Sequence, residues 1–355
     1  MRQEVRFVTS RDGTRIAWAR HGHGPPLVRV ATWLTNLESD WTSPIWRHWL
    51  TDLGESFTVV RYDDRGSGLS DRHPAEISFE GWVEDLAAVV EGTGFARFAL
   101  LGMSQAGAVA IAYAARNPAR LQHLILYGAY SRGARRRSLS PEVLEENELF
   151  LQLMRVGWGR ANPAFGRIFT ADFIPNASDE QARWLDSLQR GSTNGETAAR
   201  MAAARSEIDV TEVAKSIDVP TLILHARDDQ AVAFEEGRRL ASLIPGARMV
   251  VLEGRNHILL GDEPAWPQFV QELVSFAGAP QAPHGLEDIA GKLSRREVEV
   301  LQIAAQGKSN EEIAAELGLS VRTIERHLAN SYMKLELSGK SARAGAVARL
   351  TRPSV

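Results

Sequence analysis

The sequence predicts an α/β domain followed by a smaller, all-helical domain. Within the first ~275 residues, short apolar segments alternate with helical patterns, and several of these segments are apolar on both faces. Segments of that kind are typical of a buried parallel sheet whose strands are joined by helical crossovers. The predicted strands are residues 26–30, 57–62, 98–103, 124–129, 220–226 and 248–254.

Composition limits the classes of protein that this chain can represent. Its 355 residues, 44% of them hydrophobic, are enough for more than one core, since single domains usually hold roughly 100–200 residues. The net charge of −3 gives no whole-chain basis for nucleic-acid binding, so a basic surface must be local. The absence of cysteine excludes disulfides, thiolate catalysis and Cys-based metal sites.

Neither an export signal nor a membrane span is indicated. The N-terminal sequence has no apolar core of the kind that a signal peptide needs, and no stretch reaches roughly 18 consecutive apolar residues. We therefore expect a cytoplasmic protein without a membrane partner.

The strand pattern is interrupted once and then ends. Residues 131–216 are helical and of mixed polarity, which indicates a helical cap inserted over the sheet. Residues 278–290 gather Pro, Gly and Ala and are predicted to be a linker. The predicted domains are therefore 1–277, with the cap at about 131–216, and 291–355.

Three short helices are predicted after residue 293. Ser294 precedes Glu297 by three residues, the spacing of a capping box, and Gly307 ends the first helix. The second helix spans 310–317 and stops at a glycine. Two short helices joined by a tight turn that contains glycine form a helix-turn-helix, whose second helix can enter a DNA major groove.

The third helix, capped by Ser320, has one apolar face and one polar face. Residues 320–355 contain seven Lys or Arg and two Glu, whereas residues 284–319 contain four basic and seven acidic residues. The positive charge is thus concentrated around the third helix. A helical bundle used only for oligomerisation is the alternative interpretation. The positions expected to pack inward are Ile324, Leu328, Tyr332 and Leu335, and those expected outward are Arg322, Glu325, Arg326, Ala329 and Lys334.

The segments REVEVL, SNEEIA, LGLSVRTIERH, NSYMKL and AVARL, with the glycine at 307, resemble the helix-turn-helix of the LuxR/GerE family of transcription regulators. The resemblance implies a partner of double-stranded DNA. It implies that Glu325, Arg326 and Ala329 face base edges. It assigns phosphate contacts to Ser320, Thr323, His327, Asn330 and Lys334, and places Asn310 in the same interface. Glu325 departs from the basic residue that the family often carries there, so base preference stays open.

In the first domain, Ser104 lies between Gly102 and Ala106, where the predicted strand 98–103 runs into a helix. Such a sharp turn needs small neighbours. An ordinary strand–turn–helix with an incidental serine would have the same local sequence. Farther along, an Asp pair follows the strand 220–226 and His257 follows the strand 248–254, which gives the order Ser, Asp, His.

This order, together with RYDDRGSGLSD at 61–71, resembles the α/β-hydrolases. The resemblance implies a doubly wound sheet with a helical cap and a catalytic set of Ser104, Asp229 and His257, with Asp228 as the alternative acid. It implies that the backbone N–H groups of Trp33 and Gln105 form the oxyanion hole.

One departure from the hydrolase pattern concerns the strand 26–30. The family usually has His-Gly after this strand, and here the pair is Ala31-Thr32. Because threonine restricts the backbone more than glycine, this predicts slow turnover and favours ligand sensing.

No metal site and no nucleotide cofactor are predicted. The run at 132–137 is interpreted as solvated surface, with an anionic ligand or DNA as the alternative.

The predicted function is transcription regulation by a homodimer whose first domain senses, and slowly hydrolyses, a small apolar ester- or lactone-like ligand. Two alternatives stay open: an active serine esterase or lactonase that carries a DNA-binding module, and a constitutive DNA-binding protein that uses its hydrolase-like domain for dimerisation.

Overall fold

The computed structural model describes residues 3–137, 140–160, 163–278, 293–305, 307–335, 337, 342–343 and 346. The chain divides into two compact units, Met1–Ala279 and Pro280–Val355. Apart from Gly278, the predicted linker at 278–290 lies outside the described residues.

The first unit is built on one eight-stranded sheet of order β1-β2-β4-β3-β5-β6-β7-β8. Neighbouring strands from β4 to β8 run parallel. β1 and β2 form an antiparallel pair that joins the sheet at β4. The strands are β1 Glu4–Thr9, β2 Arg15–Gly22, β3 Pro26–Arg29, β4 Thr58–Tyr62, β5 Phe98–Met103, β6 Leu121–Tyr127, β7 Thr221–Ala226 and β8 Arg248–Leu252.

Helices cover both faces of this sheet, which confirms the predicted α/β fold. α1 and α10 pack on one face, and α2, α3, α8 and α9 pack on the other. Every residue of β5 and of β7 is buried, and most of their side chains are apolar. The helices are α1 Arg47–Ser56, α2 Phe79–Thr93, α3 Ala106–Arg116, α4 Pro141–Gly157, α5 Pro163–Thr170, α6 Asp179–Ser192, α7 Gly195–Ser206, α8 Thr211–Ala214, α9 Phe234–Leu243 and α10 Ala265–Ala277.

The segment between β6 and β7 contains α4 to α7, on the stretch that the sequence predicts to be a cap. Ser140 caps α4, and Ser178 and Gln181 form a capping box at the start of α6. α4 packs against α7, and α5 packs against α6. These two helix pairs place cap side chains next to the end of β5, as the cavities described below show.

A buried arginine ties three segments of the first unit together. Arg65, in the loop after β4, donates from Nε and Nη2 to the two carboxylate oxygens of Asp85 on α2, each at 2.7 Å. Its Nη1 donates to Asp12, in the turn between β1 and β2, also at 2.7 Å. The Arg65 side chain has no exposed surface. Its charge therefore depends on these carboxylates for compensation.

The helices of the second unit whose bounds are described are α11 Arg295–Ala305, α12 Asn310–Leu317 and α13 Val321–Lys334. α12 ends at Gly318 in the left-handed conformation, and Ser320 caps α13 by accepting from the Thr323 N–H. Ile324, Leu328 and Leu335 are buried as predicted, and Tyr332 is partly buried. The predicted helix-turn-helix is thus present.

We expect Asp85→Ala to lower the free energy of unfolding by about 3–5 kcal/mol, because it leaves the Arg65 guanidinium buried without its main partner. Glu80→Ala is the matched control, since Glu80 is also on α2 and pairs with an arginine, Arg116, but that pair is exposed. Glu80→Ala should lower the free energy of unfolding by only about 0.2–1 kcal/mol. Urea denaturation measures both variants. Equal losses would show that burial does not determine the contribution of the Arg65–Asp85 pair.

Candidate functional site

Ser104 occupies a strained turn between β5 and α3. It is one of two described residues other than glycine with positive φ, at +55°. Such a conformation costs about 1–3 kcal/mol and persists only where the surroundings impose it. A Cβ at Gly102 would lie 2.8 Å from the Gly107 Cα, and one at Gly107 would lie 2.4 Å from the Ala129 Cβ. The small neighbours expected from the sequence are therefore required by close packing.

An imidazole and a carboxylate meet beyond the ends of β7 and β8. Nδ1 of His257, after β8, lies 2.7 Å from Oδ2 of Asp229, after β7. The other Asp229 oxygen accepts from the backbone N–H groups of Ala231 and Val232, each at 2.9 Å. Asp228 is exposed. Of the two aspartates that the sequence left open, Asp229 is thus the one beside His257.

The protonation states follow from these hydrogen bonds. Burial raises the pKa of Asp229, but His257 and the Val232 N–H lower it more strongly, so the pKa lies below its usual range. A carboxylate only accepts hydrogen bonds, so the proton of the neutral His257 ring is on Nδ1. The lone pair is then on Nε2, which has no hydrogen-bond partner among the described residues. That nitrogen is free to accept a proton.

Two further residues lie next to this pair. Gly128, just after β6, has φ +54°, and a Cβ there would lie 2.9 Å from Cε1 of His257. His225 on β7 is fully buried, and its Nε2 is bonded to the Val232 carbonyl at 2.9 Å. Burial lowers the pKa of His225, which favours a neutral ring that packs in the core.

Two cavities meet at Ser104. The larger, of about 280 Å³, lies between Ser104 and the cap. The smaller, of about 30 Å³, touches both Ser104 and His257. The predicted oxyanion donors, Trp33 and Gln105, line both cavities. The cap side chains that line the larger cavity include Asn147, Phe150, Leu151, Met154, Ile168, Asp172 and Phe173.

The left-handed residue of the loop after β3 is Leu34 and not Thr32. The hydrolase pattern has glycine where this chain has Thr32, but the left-handed residue in this loop is Leu34, at φ +52°. Thr32 is buried without that conformation. The threonine side chain therefore adds no left-handed strain to the loop that carries the Trp33 N–H.

Two arginines of the cap segment reach the larger cavity. Arg205 on α7 is buried, forms an ion pair with Asp64 and lies over the rings of Trp33 and Trp82, at 4.9 Å from each. Arg137, from the basic run at 132–137, lies over the ring of Tyr130 at 4.9 Å. The interpretation of that run as solvated surface therefore fits only part of it. Arg135 and Arg136 form half-exposed pairs with Glu207.

On α13, the residues that the resemblance assigns to base edges are exposed: Glu325, Arg326 and Ala329. Three of the residues assigned to phosphate contacts, Thr323, His327 and Asn330, are partly exposed. The rest take part in contacts within the unit. Ser320 caps α13, Asn310 accepts from Arg343 at 2.8 Å, and Lys334 donates to Glu297 on α11 at 2.7 Å.

Comparison with known proteins agrees with both parts of this geometry. Residues 25–264 match the family described as having the alpha/beta hydrolase fold. The chain belongs to the α/β-hydrolase fold family. Residues 291–344 of this α/β-hydrolase match the luxR family of bacterial regulatory proteins. The two matches identify a fusion of a hydrolase domain with a DNA-binding regulator domain.

Relatives of this α/β-hydrolase include proteins named as a deacetylase and as an esterase/perhydrolase. A pyrrolizixenacetamide deacetylase of Xenorhabdus hominickii is 26% identical over 76% of this chain and 97% of its own length. A bifunctional esterase/perhydrolase of Acinetobacter calcoaceticus is 28% identical over 71% of this chain and 92% of its own. The crystal structure of an enol-lactonase from Burkholderia xenovorans covers 76% of this chain and 99% of its own, with a TM-score of 0.60 and 25% identity.

Among the described residues of the chain, no helix combines the length and the apolar character that crossing a membrane would require.

We expect Gly128→Ala to reduce the reactivity of Ser104 about 100-fold, because the added methyl displaces the His257 ring. Gly94→Ala is the matched control, since Gly94 also has positive φ, at +71°, but a Cβ there meets nothing within 4 Å. Labelling rates with a fluorophosphonate measure the effect. Equal rates for the two variants would show that the close approach of Gly128 to His257 does not control the site.

Proposed function

We propose that this α/β-hydrolase is a DNA-binding transcription regulator whose hydrolase domain senses, and slowly hydrolyses, a small, largely apolar ester- or lactone-like ligand. The observation that carries the proposal is the arrangement of Ser104 beside the Asp229–His257 pair, at a cavity of about 280 Å³ in a chain that also carries a LuxR-type helix-turn-helix. A hydrolase with no regulatory role has no need of a covalent link to a DNA-binding domain.

The chemistry follows from the groups at the cavity. His257 Nε2 accepts the Ser104 hydroxyl proton as Oγ attacks the acyl carbon, and Asp229 stabilises the imidazolium that forms. The N–H groups of Gln105 and Trp33 donate to the oxygen that gains negative charge. His257 then gives its proton to the leaving alcohol, or to the alkoxide end of an opened lactone, and the acyl group stays on Ser104.

The ligand class is proposed from the lining of the cavity. Phe150, Leu151, Met154 and Ile168 supply apolar surface on the cap side. Among the described residues that line the cavity, Ser104 has a positive φ, +55°. A pocket of this size suits a small molecule, and a few polar groups on an apolar wall fix its orientation. Deacetylase, esterase and lactonase names among the relatives support an acyl compound.

The DNA-binding part of the proposal rests on the exposed face of α13. Arg326 and its exposed neighbours can reach base edges in a major groove, and the partly exposed residues beside them can reach phosphates. Because helix-turn-helix proteins usually bind two half-sites about one DNA turn apart, we propose that the chain acts as a homodimer on pseudo-palindromic DNA.

An active serine esterase or lactonase that carries a DNA-binding module is the second candidate function. It is favoured by the strained φ of Ser104, +55°. A receptor that only binds its ligand has no need of a strained nucleophile, whereas an enzyme does.

We expect a fluorophosphonate to label the full-length protein at Ser104 and p-nitrophenyl butyrate to be hydrolysed slowly. Ser104→Ala should abolish both reactions, and Ser131→Ala, which removes another buried hydroxyl, should change neither. Mass spectrometry and p-nitrophenol absorbance are the measurements. Failure of the wild-type protein in both assays would exclude a nucleophilic Ser104 and leave a pure receptor pocket.

The sensing role is tested on DNA selected from random duplexes by the wild-type protein. Because coupling between two sites is typically worth 1–3 kcal/mol, labelling of Ser104 should change the affinity for this DNA by about fivefold or more. Fluorescence anisotropy compares labelled and unlabelled protein. Equal affinities would contradict sensing and favour an esterase whose DNA-binding module works independently of the pocket.

We expect Arg326→Ala to lose about 1–3 kcal/mol of discrimination between the selected duplex and a scrambled one, since a bidentate contact to a base is worth that much. Arg227→Ala, which removes an exposed arginine from the hydrolase unit, should leave both affinities unchanged. Anisotropy titrations at several salt concentrations separate base contacts from phosphate contacts. An equal loss on both duplexes for Arg326→Ala would mean that this residue does not contact bases.

A further inference from the structure

Four side chains that line the smaller cavity beside Ser104 each have a buried polar atom without a hydrogen-bond partner among the described residues. They are Oγ1 of Thr32, Nε2 of Gln105, Nε2 of Gln189 and Nε2 of His257. Gln105 also lines the larger cavity, whereas the other three do not. These three come from different parts of the fold. Thr32 lies in the loop after β3, Gln189 on cap helix α6 and His257 after β8, and the residues are 4%, 3% and 1% exposed.

A buried polar group without a partner is costly, at about 1–3 kcal/mol each. Several such atoms around one cavity therefore indicate a polar occupant. The cavity has a volume of about 30 Å³, and about 10–15 Å³ of such space is enough to hold one water molecule. A buried water typically makes two to four hydrogen bonds, and Thr32, Gln189 and His257 can supply three of them.

The position of this cavity is suited to the second half of a serine-hydrolase reaction. Its wall includes both Ser104, which would carry the acyl group, and His257. Asp229 holds the proton of the ring on Nδ1, so Nε2 of His257 accepts. A water that donates to this nitrogen would lie next to the acyl carbon on Ser104.

We propose that this cavity holds the water that removes the acyl group from Ser104, and that Thr32 and Gln189 position it. The inference rests on the proposed function. Nε2 of Gln189 donates to the water oxygen, Oγ1 of Thr32 accepts one of its hydrogens, and His257 Nε2 accepts the other. Thr32 and Gln189 are positioning residues, because the proton is moved by His257.

The step balances as ordinary ester hydrolysis. The water oxygen forms a bond to the acyl carbon while His257 Nε2 takes the water proton. The tetrahedral intermediate collapses, the bond between the acyl carbon and Ser104 Oγ breaks, and Oγ takes the proton from His257. A carboxylic acid is released, and both side chains return to their starting protonation states.

Two features of the chain acquire a role in this way. Thr32, which stands where the hydrolase pattern has glycine, supplies a hydroxyl that glycine could not. Gln189 belongs to the cap, so the cap contributes to deacylation as well as to the walls of the larger cavity. Acylation, by contrast, requires neither side chain.

The test uses Thr32→Val and Gln189→Leu in the full-length protein, with p-nitrophenyl butyrate as the substrate. Each variant should first release about one equivalent of p-nitrophenol at the wild-type rate. Its later turnover should be slower than that of the wild-type protein by a factor on the order of ten, because one hydrogen bond to the water is lost. Mass spectrometry should show butyryl-Ser104 accumulating. Thr32→Ser should restore turnover, because it restores the hydroxyl.

Ser192→Ala is the matched control. Ser192 is also on α6, is fully buried and has a hydroxyl without a partner among the described residues, but it does not line the cavity. It should behave as the wild-type protein does. Circular dichroism and thermal unfolding check that each variant is folded, and Gln189→Leu tests the proposal by itself if Thr32→Val does not fold.

The outcomes separate this inference from the proposed function. Suppose that the wild-type protein is acylated. If both variants then lose the acyl group as fast as the wild-type protein does, or if their acylation and deacylation rates fall by the same factor, the positioning role is wrong and the hydrolase function stands. If the wild-type protein releases no p-nitrophenol and takes no phosphonate label, both proposals are wrong.

Discussion

The hydrogen bond between Nδ1 of His257 and the carboxylate of Asp229 is the contact on which the site depends. It sets the tautomer of the imidazole, and so decides that Nε2 accepts a proton. Neighbouring groups hold both partners of this hydrogen bond in place. Backbone N–H groups hold the second carboxylate oxygen of Asp229, and the absence of a side chain at Gly128 leaves room for the ring. Parallel strands make this possible, because their carboxyl ends meet at one edge of the sheet.

The cap is part of the site in more than one place. Arg205 on α7 pairs with Asp64 in the loop after β4 and packs on Trp33, the residue proposed to donate to the oxyanion. Gln189 on α6 lines the small cavity next to His257. A ligand that moves either helix therefore acts on groups around Ser104. Such contacts are what a sensor domain needs, since a ligand can shift an equilibrium only through interactions that differ between two states.

The helix-turn-helix unit is held together by contacts that the family pattern alone does not reveal. Lys334, to which the resemblance assigns a phosphate contact, pairs in the structure with Glu297, a side chain that is almost fully buried. This pair joins the end of α13 to the start of α11. The Lys334 side chain is still 41% exposed, so Arg322, Arg326 and Lys334 together supply the exposed positive charge of α13.

The sequence by itself determined the features that depend on neighbours along the chain. The apolar strands β5 and β7, the small residues around Ser104, the caps of α12 and α13 and the buried face of α13 all have local signatures, and the structure contains each of them. β1 and β2 were missed. β1 is largely exposed and β2 contains several charged or polar residues, so neither resembles the buried parallel strands.

Tertiary structure decided which distant residues meet. Asp228 and Asp229 are adjacent and chemically identical, and only the path of the loop after β7 brings the second of them to His257. The roles of Gly128, Arg205 and Gln189 could not be seen in the sequence, because none lies in a recognisable motif and each meets partners that are far along the chain. Periodicity and capping report interactions within a few residues, whereas these contacts exist only once the sheet and the cap have packed together.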